Sequence, residues 1–421
     1  MSRPDHPRSV VVVGASHAGV IMAERLRARG FGGSITLIDR SPHLPYQRPP
    51  LSKDWLGGEV EPDTLALRSE EYYGDNGIEL LLGADVTRID RQGGGVAIRI
   101  RHSHVRQEAR RFDRLVLATG ARARVLDLPG VDHPDVLVLR DLDDARRLGQ
   151  RIRRGPLAVI GGGFVGLEVA ATARGLGTEV TVVEAAPRLS GRAVGAGTSD
   201  FLLAAHTELG VDVRLGTAPV EIVVRGGRVR GVRLADGREV PAATVLVGVG
   251  AEPRTEIAEH LGLVCDRGVV VDERCLTSDG RTIAIGDCTV QEDCSGNRVR
   301  LESVDNATEQ ADAAAATLLG ADLPRRPTPW FWSDQGPWKL QIVGVVGADM
   351  DVVVRTDPAK PRRRVTLYFA GDALVAAECV NAPADFVAVR AALSRGLRPS
   401  REALSDSAVP LKKLLAALPV N

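Results

Sequence analysis

The chain has 421 residues in which 54 acidic side chains balance 54 basic ones. It is long enough for roughly two to four domains with proper cores, and it lacks the net charge that draws a protein to nucleic acid or a membrane surface. No apolar run reaches the roughly 18 residues of a membrane span, and the polar stretch Met1 to Ser9 leads into a strand rather than the apolar core of a secretory signal, so a cytoplasmic location is expected.

Val10 to Val13 is a β-branched run expected as a buried parallel strand. Gly14-Ala15-Ser16-His17-Ala18-Gly19 follows, then a helical stretch to Arg29, a closing Gly30, and a second strand, Ser34 to Ile38, ending in Asp39. Strand, glycine turn, helix, strand and acid in this order form a dinucleotide-binding fingerprint. Gly14 permits the tight turn, the small Ser16 lets the backbone approach a pyrophosphate, and Gly19 lets helix and strand pack closely. The helix N-terminus offers N–H groups and a positive dipole to phosphates, and Asp39 can accept from a ribose hydroxyl. The bland alternative is a surface glycine turn. Residues 43 to 60 carry His43-Leu44-Pro45-Tyr46-Gln47-Arg48-Pro49-Pro50-Leu51-Ser52-Lys53, a proline-stiffened loop that either positions its two cations or serves as a rigid connector. It holds no cysteine, so electron transfer through a protein thiol is not expected.

Val96 to Ile100 alternates about exposed Arg99 and Arg101, and a second extended run passes Phe112 into Leu115-Val116-Leu117-Ala118-Thr119-Gly120, a small antiparallel excursion returning to a buried strand. The first pattern then recurs: Leu157 to Ile160, Gly161-Gly162-Gly163-Phe164-Val165-Gly166, a helix to Arg174, and Glu179 to Val183 ending in Glu184. Another excursion, with turns at Gly226-Gly227 and Asp236-Gly237, returns into Val245 to Gly250. Fingerprint, excursion and glycine-ended strand thus occur twice, which implies two dinucleotides. Beyond them, Gly268 to Val271 is extended, Thr282 to Asp287 reads as a buried strand ending in an acid, and Ser303 caps an alanine-rich helix from Val304 to Leu319. Pro324 to Pro329 marks a boundary. Trp330, Trp332 and Trp338 cluster in a chain only 4% aromatic, as a domain core or a functional surface. Strands around Val343, Val352 and Val365 to Phe369, and helices from Ala384 and Leu411, make the last segment an α+β module. The cysteines Cys265, Cys275, Cys288, Cys294 and Cys379 include no C-x-x-C pair and read as ordinary reduced thiols; no metal site is expected.

Over essentially its whole length the chain resembles the FAD-dependent, NAD(P)H-dependent ferredoxin reductases that feed bacterial oxygenases. The matching stretches are the Gly14 to Gly19 turn with Asp39, Arg48 to Lys53, Ala118 to Gly120, the second fingerprint with Glu168, Gly250 to Pro253, Ile285 to Cys288, Glu302 to Val304, Pro329 to Gln335 and Val409 to Lys412. The resemblance implies an α/β fold with two Rossmann-like dinucleotide-binding domains, for FAD and NAD, plus a C-terminal α+β interface domain. The expected boundaries are 1–112 with 251–324 for a split FAD domain, 113–250 for the NAD domain and 325–421 for the interface domain.

By resemblance FAD takes Gly14, Ser16, His17, Ala18 and Gly19 at its phosphates, Asp39 and Arg40 near its adenosine, and Val86 at its adenine. Arg48, Lys53, Thr119, Gly120, Arg140, Asp287, Glu302, Val304 and Trp330 complete that set. The nicotinamide dinucleotide takes Gly161, Gly163, Phe164, Val165, Gly166, Glu168, Glu184 and Gly250. Glu184 favours NADH over NADPH by repelling a 2′-phosphate, against the nearby Arg188. Lys53 and Glu168 are implied as the catalytic pair beside the flavin, or else as a structural salt bridge. The expected activity passes a hydride from NADH to FAD and then single electrons to a 2Fe-2S ferredoxin serving an oxygenase, from a monomer or weak homodimer. The alternatives are an NADH oxidase or diaphorase using oxygen or a quinone, and an NADH-sensing flavoprotein like the apoptosis-inducing flavoproteins. Gly336-Pro337-Trp338 departs from the family pattern, next to the expected ferredoxin-docking face. Arg325, Arg326, Arg362, Arg363, Arg364, Lys412 and Lys413 are either cations for an acidic ferredoxin or solvated faces.

Overall fold

Continuous apolar runs such as Val10 to Val13, with every side chain buried, form strands only where both faces of a sheet are covered. In the computed structural model, which describes residues 7–90, 96–102, 107–292, 298–347, 349–407 and 409–416, two such sheets lie in two separate units. The first unit comprises residues 1–47, 62–122 and 251–326, and the second comprises 48–61, 123–250 and 327–421. Cys294 and the side chains of Arg99 and Arg101 fall outside what is described.

The first unit is built on a five-stranded parallel sheet in the order Ile283–Ala284, Arg114–Leu117, Ser9–Val13, Ser34–Ile38, Ile78–Leu81. The sequence reading gave residues from 113 to the second domain, but Arg114–Leu117 pairs with Ser9–Val13 and belongs to this sheet. One face is covered by the His17–Ala28 and Val304–Leu318 helices, whose Ala18, Met22, Ala23, Leu26, Ala307, Ala311, Ala314 and Ala315 share one core with Val10, Val12 and Val116. The alanines let the two helices approach closely. Met22 and Leu26, fully buried, each contribute about 1.5–3 kcal/mol. Three antiparallel strands, Ala84–Asp90, Val96–His102 and Gln107–Phe112, form the expected excursion.

The second unit repeats the arrangement. Its parallel sheet runs Asp212–Leu215, Val180–Glu184, Leu157–Ile160, Thr244–Val247, Val136–Leu137, and its excursion is the antiparallel set Pro219–Arg225, Arg228–Leu234, Glu239–Pro241. The two parallel sheets have the same strand order, except that the fifth strand arrives late in the chain for the first sheet and early for the second. Residues 327–421 cluster with this unit and carry an antiparallel sheet ordered Trp330–Gln335, Trp338–Val343, Ala373–Val380, Arg364–Ala370, Asp351–Thr356. Trp330–Gln335 and the central strand Ala373–Val380 had no counterpart in the sequence reading; the second is rich in alanine, which signals no strand. The Pro383–Ser394 helix packs on the sheet through Phe386 and Val389. No helix among the described residues is long and apolar enough to cross a membrane.

Candidate functional site

In the first unit the chain leaves the Ser9–Val13 strand at Gly14, with a φ of +110° that suits glycine alone. A Cβ on Gly14 would lie 2.1 Å from the Ala118 carbonyl oxygen, and one on Gly19 would lie 2.0 Å from the Gly14 carbonyl oxygen. Asp39, at the end of the neighbouring strand, braces this turn: one carboxylate oxygen accepts from the Ala15 N–H at 2.7 Å, the other from the Ser41 N–H at 2.8 Å.

The second unit repeats these contacts. Gly161 has a φ of +107°; a Cβ on it would lie 2.4 Å from the Gly248 carbonyl oxygen, and one on Gly166 would lie 2.4 Å from the Gly161 carbonyl oxygen. Glu184 accepts from the Gly162 N–H and from the Ala186 N–H, both at 2.7 Å. The acid in each fingerprint therefore holds the turn in shape, a role the motif alone did not reveal, and each carboxylate oxygen keeps a lone pair for a ribose hydroxyl. Neither following helix has an acidic residue in its first turn, and a Cβ on Gly163 would meet no protein atom within 4 Å. An anionic diphosphate fits both helix N-termini.

Lys53 and Glu168 meet within the second unit. Pro49–Ser52 is a 3-10 turn rather than an open loop, and it delivers the Lys53 Nζ to 2.8 Å from Glu168 Oε2 on the Phe164–Gly175 helix. Lys53 also donates to the Pro49 carbonyl at 3.0 Å. The same Glu168 oxygen accepts from Ser52 Oγ at 2.5 Å, and Oε1 accepts from Ser333 Oγ at 2.6 Å. Thr172 Oγ1, one helical turn on, ties the Ser52 carbonyl at 3.0 Å. Both side chains of the pair are largely buried, at 12% and 5% exposure. A pair this buried needs further hydrogen bonds, and the Pro49 carbonyl, Ser52 and Ser333 supply them.

The residues expected at FAD divide between the units. Gly14, Ser16, His17, Ala18, Gly19, Asp39, Arg40, Val86, Thr119, Gly120, Asp287, Glu302 and Val304 lie in the first; Arg48, Lys53, Arg140 and Trp330 lie in the second, with every residue expected at NAD. Thr119 Oγ1 donates to the Arg254 carbonyl at 2.7 Å, and the Arg254 N–H returns to the Gly120 carbonyl at 2.9 Å. The strand expected to end in Asp287 stops at Ala284, and Asp287 sits in a 3-10 turn, Gly286–Cys288. Gln310, buried in the alanine-rich helix, pulls the chain out of the sheet by accepting from the Gly286 N–H at 2.7 Å. A Cβ on Gly286 would stand 3.0 Å from the Ala18 Cβ, so this turn lies beside the first glycine turn. Ser303 caps the Val304–Leu318 helix by accepting from the Asn306 N–H at 3.0 Å, and Glu302 pairs with Arg300. In the second unit Arg48 donates to the Arg140 carbonyl at 2.9 Å. Phe164 packs on Phe331 at 4.8 Å between ring centroids, Val165 is exposed, and Trp330 stacks on Trp332 at 5.3 Å.

Within the departure at 336–338, Gly336 and Pro337 form an exposed hairpin turn, and Trp338 is buried edge-on against Phe201 at 5.2 Å, which is the domain-core alternative for that tryptophan. Among the seven cations, Arg362 pairs with Glu208 at 2.6 Å, Arg363 pairs with Asp385, and Arg326 lies 4.0 Å from Glu309. Lys412 and Lys413 are exposed. Burial raises the thiols of Cys275, to about 12, and of Cys288 and Cys379, keeping them protonated. Sequence reasoning missed Ser52, Ser333, Gln335 and His206 in the polar network around Glu168, and Gln310 at the Gly286 turn, because lone hydroxyls, amides and an isolated histidine carry no spacing signature.

Residues 8–311 match the pyridine nucleotide-disulphide oxidoreductase family, and residues 330–415 match the reductase C-terminal family. The chain is 41% identical to rhodocoxin reductase of Rhodococcus erythropolis, over 97% of this chain and 94% of that protein. It superimposes with a TM-score of 0.91 on the ferredoxin reductase for the CYP199A2 system from Rhodopseudomonas palustris, at 42% identity, covering 98% of this chain and 100% of that one. The TM-score is also 0.91 for the covalent putidaredoxin reductase-putidaredoxin complex, at 37% identity over 97% of this chain and 98% of that one.

Proposed function

The chain belongs to the pyridine nucleotide-disulphide oxidoreductase family, and from that premise we propose that it is an NADH-dependent ferredoxin reductase supplying an oxygenase. The observation that carries this reading is the doubled glycine turn, each copy braced by its own carboxylate, because two such turns hold two dinucleotides. FAD, when bound, supplies the conversion of a two-electron donor into a one-electron one, which is what an iron-sulfur acceptor needs.

The chain's own residues then bind and orient. The His17–Ala28 helix N-terminus takes the FAD diphosphate, with Gly14, Ser16, His17, Ala18 and Gly19 around it. Asp39 and Arg40 serve the adenosine side with Val86, and Asp287, Thr119, Gly120, Glu302 and Val304 serve the remainder. The capped Val304–Leu318 helix directs its positive end where reduction deposits negative charge. Arg48, Lys53, Arg140 and Trp330 are assigned to the flavin by the family resemblance. The Phe164–Gly175 helix takes the NADH diphosphate through Gly161, Gly163, Phe164, Val165 and Gly166, with Gly250 on the facing strand end, and Glu184 takes the adenosine ribose. Lys53 and Glu168 orient the nicotinamide and hold a proton at the Lys53 amine. The acceptor is a ferredoxin, as the names of the relatives suggest, of the small 2Fe-2S kind that the family resemblance implies, and the protein works in the cytoplasm as a monomer or weak dimer. No protein thiol is assigned a part: residues 43 to 60 contain no cysteine, and burial keeps Cys275, Cys288 and Cys379 protonated.

The test mixes the purified holoprotein with NADH and candidate ferredoxins at several salt concentrations. Ferredoxin reduction that weakens with salt is expected. NADH consumption indifferent to every ferredoxin, and driven equally well by oxygen or quinone alone, would overturn the reading in favour of an oxidase.

A further inference from the structure

Glu168 is the end of a longer chain of buried polar side chains inside the second unit. Ser333 Oγ donates to Glu168 Oε1 at 2.6 Å, Gln335 Nε2 donates to Ser333 Oγ at 3.1 Å, and His206 Nε2 lies 2.8 Å from Gln335 Oε1. Ser333, Gln335 and His206 are all 1% exposed or less. Ser333 and Gln335 are two apart on one strand, so they point the same way, while His206 reaches them from the Ala196–Glu208 helix. An amide oxygen only accepts, so His206 Nε2 must carry a hydrogen. Its Nδ1 is buried with no hydrogen-bond partner among the described residues, which suits a bare lone pair, and burial pushes the imidazole below the usual histidine range.

Every bond in this chain therefore donates toward Glu168. The direction is set at the far end: His206 holds the Gln335 oxygen, the Gln335 nitrogen then faces Ser333, and the one Ser333 proton is left for Glu168. Were the amide reversed, its oxygen would compete for that proton. Glu168 would keep only Ser52 and Lys53, both on the Oε2 side, and its carboxylate could swing. We propose that Gln335 and His206 are positioning residues for the Lys53–Glu168 pair, acting through Ser333 to hold the Glu168 carboxylate in one orientation. This rests on the reading that the pair orients the nicotinamide. It would give a strand of the C-terminal sheet a part in reduction by NADH, separate from any part in docking an acceptor.

Gln335→Glu keeps the shape and inverts the polarity, since a carboxylate in that place takes the Ser333 proton. Anaerobic stopped-flow absorbance should show flavin reduction slowed about tenfold or more at saturating NADH, with the NADH dissociation constant and FAD content near those of wild type; the buried extra carboxylate lowers the melting temperature, and Gln335→Met, which adds no charge, controls for that loss. Gln335→Met, which removes both roles of the amide, should slow reduction less than Gln335→Glu. An unchanged limiting rate, or a loss that only tracks lost FAD or lost stability, overturns the proposal. Independently of catalysis, the imidazole 15N spectrum of the wild-type holoprotein at pH 7, assigned with His206→Leu, should show His206 protonated at Nε2 and bare at Nδ1. The opposite tautomer, or a charged ring, also overturns it. Wild-type flavin that NADH fails to reduce would instead count against the reductase reading, and the tautomer measurement would still decide the relay.

Discussion

Replacing Gly163 by alanine separates the space a ligand needs from the space the protein needs. Gly163 starts the Phe164–Gly175 helix with an ordinary φ of −82°, and an added Cβ would meet nothing within 4 Å. The protein should barely notice: alanine in place of glycine at an N-cap costs about 1 kcal/mol at most, a shift of roughly 2–4 °C in melting temperature. The diphosphate should notice a great deal, because the methyl group stands where its oxygens would approach the helix N–H groups. Losing one charge-assisted hydrogen bond costs about 1.5–3 kcal/mol, which raises the dissociation constant about 10- to 150-fold. Gly166→Ala provides the contrast, since its Cβ would lie 2.4 Å from the Gly161 carbonyl oxygen. That overlap forces helix and turn apart at about 1–3 kcal/mol, so stability and affinity should fall together. Calorimetric titration with NAD+, beside thermal melting and FAD content, distinguishes the two. If Gly163→Ala bound NAD+ as tightly as wild type, the turn would not be a diphosphate site and the second half of the functional reading would fail.

Glu184→Ala should weaken NADH and narrow its advantage over NADPH, read as the ratio of kcat/KM for the two; an unchanged ratio refutes the ribose assignment. Lys53→Met should slow flavin reduction more than it loosens FAD, and it leaves a buried carboxylate without its cation, which costs about 3–5 kcal/mol. Thermal melting at pH 7 checks the second part, and a variant as stable as wild type would show that Ser52 and Ser333 suffice. Glu378, buried in the C-terminal sheet, accepts from the Gly195 N–H at 2.9 Å and the Tyr368 hydroxyl at 2.7 Å, and burial raises its carboxyl above the usual range. Between the unfolded value of about 4.3 and that raised value the native state holds the extra proton. Its contribution is therefore fully present at low pH and falls as pH rises through the window. Glu378→Gln should gain on wild type as pH rises from about 4 to 8, and parallel stability profiles would contradict this.

Much of the architecture could be read from spacing, because the signals were local. Gly14, Gly19 and Asp39, and again Gly161, Gly166 and Glu184, stand where one strand–turn–helix–strand unit demands them, and the valine-rich strands between them could be nothing but buried. The Ala373–Val380 strand was hidden because its alanines carry no strand preference, and its place between two partners is decided by packing alone. Asp287 was drawn at a strand end because the interaction that ends that strand, Gln310 with the Gly286 N–H, joins residues 24 positions apart. The polar chain behind Glu168 was invisible for the same reason: Ser52, Glu168 and His206 join the Ser333 and Gln335 side chains only through the fold. Trp338 shows the converse, a residue whose local clustering left core and surface equally open until packing against Phe201 made it core.

The order in which the two parallel sheets complete themselves bears on how the chain is made. Every strand of the second lies between Val136 and Val247, whereas the first, begun at Ser9, lacks its Ile283–Ala284 strand and the Val304–Leu318 helix until much later. At ribosomal speeds of about 5–20 residues per second, the early half waits roughly ten to forty seconds with an open edge and an uncovered apolar face. The later-encoded sheet has all its strands to hand first, which reverses the usual N-to-C sequence of assembly. Nascent chains arrested near residue 290, with Thr244–Val247 clear of the ribosome and Ile283–Ala284 still inside it, should resist protease across 157–247 and be cut within 9–117.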